Sequence, residues 1–176
     1  MKAYAGIGSR ETPLYEANEM ALFASLAKRL LILRSGGANG ADEAFENGCG
    51  DGPKEIFLPW KGFNENTSTL FTPDPKAFDL AASVHPNYKF LKRPVKLLIA
   101  RNMHQILGPN LDDPVEFVVC WTKDGCESHE TYGSKTGGTG SAIAIASKVG
   151  IPVYNLFNDG RLIAAYEHLA KLEQNA

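Results

Sequence analysis

Three glycine-rich segments set the limits on how this chain can fold. They are Gly6-Ile7-Gly8-Ser9-Arg10, Ser35-Gly36-Gly37-Ala38-Asn39-Gly40-Ala41-Asp42 and Thr136-Gly137-Gly138-Thr139-Gly140-Ser141. Each is read as leaving a strand and opening a helix. Repetition of that unit along one chain calls for an α/β architecture, a Rossmann-like parallel sheet with helices on both faces.

The rest of the pattern fits this reading. Lys2 to Gly6 forms a first strand, and Thr12-Pro13 opens a helix with Leu14, Ala17, Ala21, Leu22, Leu26 and Leu30 on one face. Leu31 to Leu33 is a short second strand, and Ala41 to Glu46 begins a second helix that ends near Gly48 and Gly50. Ile56 to Pro59 is a third strand. The stretch from Trp60 to Pro86 is too long for a connector and reads as a lid or binding insertion, with a short helix over 76–83. Leu97 to Leu107 is helical, and Val115 to Trp121 is a central buried strand. A polar loop over 122–136 leads to a helix of small residues over 140–149. A strand over 151–156 and a terminal helix over 161–174 complete the chain. No repeat or linker divides it, so the 176 residues are read as one domain with an insertion at about 60–86.

Composition narrows the function classes. The formal net charge of −2 argues against a protein that grips nucleic acid through its backbone. The one basic cluster, Lys89, Lys92, Arg93 and Lys96, reads as a solvated surface. No apolar run is long enough to span a membrane, and the N-terminus leads directly into a core strand. The expected location is therefore the cytoplasm, or the host cytoplasm if the chain is viral. Cys49, Cys120 and Cys126 lack metal spacing, and Cys120 lies in an apolar run as a small core residue. No metal or cofactor is expected.

In an open parallel sheet, ligands bind beyond the carboxyl ends of the strands. The three loops all fall there. In the first, Gly6 and Gly8 allow close backbone approach, Ser9 and the amides opening the helix suit an anion, and Arg10 suits a phosphate. In the second, the glycine density at Gly36, Gly37 and Gly40 is read as close approach to a ligand by Ser35, Ala38 and Asn39. Asp42 serves either the helix dipole, a ribose hydroxyl or general-base work. In the third, consecutive amides at Gly137, Gly138, Thr139, Gly140 and Ser141 form an anion nest at a helix start. No Walker loop and no full GxGxxG is present. Arg101, with Asn102 beside it, is placed near a helix start as a fork for phosphate. Trp60 is a candidate base-stacking residue, and covering the core is its alternative role. The four histidines have no partners at ligand or triad spacing.

These four motifs, Gly6–Arg10, Ser35–Asp42, Ala100-Arg101-Asn102 and Gly137–Gly140, resemble in order and spacing the SLOG superfamily. That group contains the DNA-processing protein A, YspA-like, molybdenum-cofactor-carrier-like and lonely-guy families, with phage-encoded members among them. The resemblance spans about residues 3 to 157. It implies a Rossmann-like fold, often dimeric or of higher homo-oligomeric order, with a nucleotide-type ligand over the loops. The chain departs from the lonely-guy pattern PGGxGTxxE, with Thr136 at the proline and Ala144 at the catalytic glutamate.

The reading is therefore a protein that binds a nucleotide or nucleotide-derived ligand as a sensor, carrier or sequestering protein. One alternative is a nucleoside-phosphate N-glycosidase using Asp42 or Glu43. A second is a binder of single-stranded DNA in the mould of DNA-processing protein A.

Overall fold

The computed structural model describes residues 1–175. Five strands form one sheet: β1 (Ala3–Gly6), β2 (Ile32–Ser35), β3 (Lys54–Ile56), β4 (Val118–Cys120) and β5 (Val153–Asn155). Their order is β3-β2-β1-β4-β5, and every pairing is parallel. The fold is α/β and Rossmann-like, with β1 at the centre and β4 flanked on both sides.

Six helices connect the strands: α1 (Leu14–Ala27), α2 (Ala41–Cys49), α3 (Pro75–Val84), α4 (Arg93–Leu107), α5 (Gly140–Lys148) and α6 (Arg161–Gln174). Strand alternation sorts them into two layers. Ala3, Ala5, Val118 and Cys120 face one side, where Ala77 and Ala81 of α3, Met103 and Ile106 of α4 and Ile143 of α5 cover them. Tyr4, Leu33, Phe117 and Val119 face the other side, against Phe23 of α1, Phe45 of α2 and Leu169 of α6. Tyr4 is the hub of this second layer, with ring centroids 5.6 Å from Phe23, 6.3 Å from Phe45 and 5.8 Å from Phe117. Each such pair adds about 0.5–1.5 kcal/mol beyond its buried area.

Several expectations are corrected. Leu14, Leu22 and Leu26 of α1 are exposed, and the buried face is Met20, Phe23, Ala24 and Ala27. Apolar residues surround this helix, so packing on Tyr4 and Phe117 selects the inward face where periodicity does not. Arg34 and Ser35 belong to β2 and not to the loop after it. Arg34 is buried, and its guanidinium binds Glu55 Oε2 at 2.6 Å and Asp113 Oδ2 at 2.6 Å. The third strand lies earlier than expected, at Lys54–Ile56, with only an isolated parallel bridge from Leu58 to Phe71 beyond it. The helix within the 60–86 stretch is a core element, not a lid, since Ala77, Ala81 and Val84 are buried. Pro75 sits in its first turn, and the Asp74 carboxylate caps it by accepting from Lys76 N at 2.8 Å. The α4 helix starts at Arg93, so Arg101 lies in its middle.

Candidate functional site

The strand order places β1 between β2 and β4, so the chain leaves the centre of the sheet in both directions. The crevice at that switch is where ligands bind in such sheets. A cavity of about 600 Å³ lies there. Its walls are the loop after β1 (Ile7 to Glu11), the inner face of α4, and the segment from Ser134 to Thr139, with Ala38, Asp42 and Lys123 completing them.

Of the residues the sequence singles out, Gly8, Ser9, Arg10, Ala38, Asp42, Arg101, Asn102, Gly137, Gly138 and Thr139 line this cavity. Gly6, Ser35, Gly36, Gly37, Asn39, Glu43, Trp60, Gly140 and Ser141 are outside its lining. Glu43 is exposed, and Trp60 packs edge-on against Phe63 with ring centroids 5.2 Å apart.

The glycines of the second loop have intramolecular reasons. A Cβ on Gly36 would occupy the position of Arg101 Nη1. A Cβ on Gly37 would come within 2.9 Å of Leu58, and Gly37 has φ 64. Gly40, at φ 81, lies where a Cβ would come within 2.6 Å of Ser9 O. The glycine density thus seats a buried arginine and two neighbouring segments instead of bringing the backbone to a ligand. Ser35 Oγ donates to Gly6 O at 2.7 Å. The first loop is likewise occupied: Ser9 N donates to Trp121 O, Ala41 N to Ser9 O, and Ser9 Oγ accepts from Glu11 N at 3.0 Å. The first amide of α2 is therefore not left for an anion, whereas the Ser9 hydroxyl accepts one bond, donates to no acceptor among the described residues and keeps its proton for a ligand in the cavity.

The third loop is different. Residues Gly137–Thr139 form a 3₁₀ turn directly before α5. The amides of Gly137 and Gly138 donate to no acceptor among the described residues, while the Thr139 amide belongs to the 3₁₀ turn itself. All three residues line the cavity, and a Cβ at Gly137 or Gly138 would meet open space. Unpaired N–H groups at a helix start form a site for negative charge. Around them stand Arg10, Lys123 and Lys135, all exposed cations on the cavity wall.

Below the rim lies a buried polar network on α4. Asp42 and Arg101 are 4% and 5% exposed and pair through Oδ2 and Nη1 at 3.4 Å. The Asp42 carboxylate also accepts from Ala38 N at 3.3 Å. Burial pushes the Asp42 carboxyl up, against the opposing pull of Arg101 and the Ala38 and Gly8 amides. The same burial draws the Arg101 guanidinium down. One turn further along α4, the Gln105 amide accepts from Arg101 Nη1 and Gly36 N, both at 3.0 Å, and donates to Asn102 Oδ1 at 3.1 Å. Asn102 Nδ2 in turn donates to Gly138 O at 2.8 Å and Ser141 Oγ at 3.1 Å. A continuous chain of contacts therefore runs from Asp42 to the anion turn. Asn102 fixes Gly138 through its carbonyl and leaves its amide free.

A second brace comes from the loop after β4. Asp124 accepts from Thr136 Oγ1 at 2.6 Å and Thr122 Oγ1 at 2.9 Å, and so anchors the residue before Gly137. Burial raises the Asp124 carboxyl, but those two hydroxyls and the Cys126 amide outweigh it, leaving it below the ordinary value.

Gln105, Lys123, Lys135 and Asp124 were not anticipated as site residues. Gln105 follows Arg101 by four residues on one helix and so shares its face, a readable signal. The other three lie in or beside an aperiodic polar loop that carries no such signal. Among the described residues no metal-binding cluster of three His, Cys, Asp or Glu is assembled, and no helix is long and apolar enough to cross a membrane.

No protein-family model, curated protein or solved structure matches the chain. Fold and geometry together define the class: an α/β protein of Rossmann-like topology with an electropositive cavity at its switch point.

Proposed function

We propose that this chain binds a nucleotide or nucleotide-derived ligand by its phosphate, as a sensor, carrier or sequestering protein. The observation that carries the reading is the pair of unpaired amides at Gly137 and Gly138, which line a cavity with Arg10, Lys123 and Lys135. Together they offer a phosphate both backbone donors and charge. His85, Val95, Leu98 and Ile99 form the less polar part of the wall, suited to a base or sugar. The resemblance to the SLOG superfamily supports the same ligand class. A cytoplasmic location and a homo-oligomer belong to this reading, the exposed Leu14, Leu22 and Leu26 of α1 supplying apolar surface for self-association.

Calorimetry against nucleoside mono- and diphosphates, NAD, ADP-ribose and cyclic nucleotides tests the reading, alongside mass spectrometry of small molecules released from the purified protein. Binding that Gly138→Asp abolishes supports it. Silence across the panel together with an empty small-molecule spectrum rejects it.

One observation favours a second reading, hydrolysis of a nucleoside phosphate at its N-glycosidic bond. Asp42 is a buried carboxyl on the cavity wall that retains its proton more readily than usual, a property suited to a general acid. Release of free base from a nucleoside monophosphate, lost in Asp42→Asn, is the expected signature. Turnover unchanged by that substitution would remove Asp42 from the chemistry.

A further inference from the structure

Arg101 also lines a second cavity, of about 270 Å³, beneath the segment from Thr69 to Asp74. This cavity has built walls. Leu58 N donates to Leu70 O at 2.7 Å, Ser68 Oγ donates to Ile56 O at 2.6 Å, and Leu58 bridges to Phe71. Upstream of this segment, Asn64 Nδ2 donates to Gly37 O and to Asn39 Oδ1. Thr72, on the cavity wall, has φ 68, a conformation disfavoured for a β-branched residue.

The lining selects a chemistry. Phe57 and His104 stack with centroids 5.6 Å apart and planes inclined at 24°. Both nitrogens of His104 are engaged: Nδ1 with Gly108 O at 3.0 Å, and Nε2 as acceptor from Asp74 N at 3.0 Å. The imidazole therefore offers the cavity its ring surface alone. Polar recognition falls to Arg101 and Asp74. Arg101 uses Nη1 on Asp42 and Gln105, its Nε is shut away without a partner, and its Nη2 donates to no acceptor among the described residues. Asp74 uses Oδ1 to cap α3, and its Oδ2 accepts no hydrogen bond among the described residues. A donor and an acceptor thus share a cavity whose remaining walls are largely aromatic and aliphatic. A flat ring with a carbonyl beside a ring N–H matches that combination. The volume lies just below the range of drug-sized pockets and suits one ring system.

We propose that this cavity is a second binding site, for a nucleobase-class heterocycle with a lactam edge, separate from the phosphate-bearing ligand of the first cavity. The carbonyl accepts from Arg101, the ring N–H donates to Asp74, and the ring face lies against the aromatic wall. The proposal stands independently of the phosphate site.

The experiment is shift mapping by NMR on the full chain, with uracil and hypoxanthine as probes and benzene as the apolar control. Expected are saturable shifts at Phe57, Thr72, Asp74 and His104, with a Kd of about 1 mM. Asp74→Asn retains a good helix cap but replaces the free acceptor with a donor. It should weaken uracil at least tenfold, and Thr69→Trp, at an exposed position on the rim, should abolish the shifts. Adenosine monophosphate, read at the Gly137 and Gly138 amides, monitors the first cavity separately in every variant. Shifts confined to Gly137–Thr139, equal shifts from benzene, indifference to Asp74→Asn, or no shift at saturating uracil would each overturn the proposal.

Discussion

Asp42 of α2 and Arg101 of α4 meet on the wall of the switch-point cavity, Oδ2 to Nη1 at 3.4 Å, both almost wholly shielded from water. At that separation the pair is loose, and burial acts against the charge of each partner. Removing one partner leaves the other buried and uncompensated, which costs about 3–5 kcal/mol. Arg101→Ala should destabilise the fold by that order in urea unfolding at neutral pH. Asp42→Asn combined with Arg101→Met should recover much of the loss. A double variant no more stable than Arg101→Ala would show that packing, not charge, dominates there.

The same carboxyl gives stability a pH dependence of known sign. Its folded value is raised, so the folded state holds the proton to higher pH than the unfolded chain does. Its contribution is full below the unfolded value and is lost as pH rises through the folded one. As pH rises from about 4, the ordinary aspartate range, through the raised folded value, wild type should therefore lose stability relative to Asp42→Asn. Parallel unfolding midpoints over that window would mean that Asp42 titrates as an ordinary aspartate.

Asp124 should behave in the opposite sense. Its folded carboxyl is held low, so its contribution is present above the unfolded value and fades as pH falls through the folded one. At neutral pH, Asp124→Asn should cost about 1 kcal/mol, discounted for partial exposure. Because Thr136 loses its anchor beside Gly137, ligand affinity should fall as well. Calorimetry on that variant reads the second effect independently of unfolding.

The anion turn and its rim can be separated. An alanine at position 138 meets no atom, so folding should stay within about 0.5 kcal/mol of wild type. Its methyl group nevertheless crowds the free amides, and nucleotide affinity should drop about tenfold, or 1.4 kcal/mol. Arg10→Gln and Lys135→Gln act through exposed charge and should each lower affinity roughly threefold, less at high salt. A salt-insensitive loss at Arg10 would point to a direct structural role instead.

Gly48 inverts a familiar rule. Alanine normally improves a helix interior over glycine by about 1 kcal/mol. Here a Cβ would run into the backbone of Ala21 on α1. Gly48→Ala should force the helices apart and destabilise by about 1–3 kcal/mol in thermal or urea unfolding.

Much of this architecture is visible in the chain itself, because strand-loop-helix punctuation is local. The terminal helix Arg161–Gln174 is found where the pattern puts it. What local pattern cannot supply is the partner of a residue. Leu14, Leu22 and Leu26 look like a core stripe until Phe23 is seen against Tyr4 and Phe117. Gly36 looks like a ligand contact until Arg101, far along the chain, fills the space beside it. Gly137 and Gly138 carry the same composition as the second loop, yet unlike Gly36, Gly37 and Gly40 they open onto empty space with free amides. Glycine density alone does not distinguish these two uses.

The fit of the Arg101 guanidinium into the gap left by the missing side chain of Gly36 makes the two positions a single heritable unit. Any larger residue at 36 requires a shorter one at 101, and a shorter residue at 101 opens a hole beside 36. Drift at either site is therefore conditional on the other. The two positions should change together or not at all in descendants that keep this fold, binding the β2 loop and the middle of α4 into one evolutionary step.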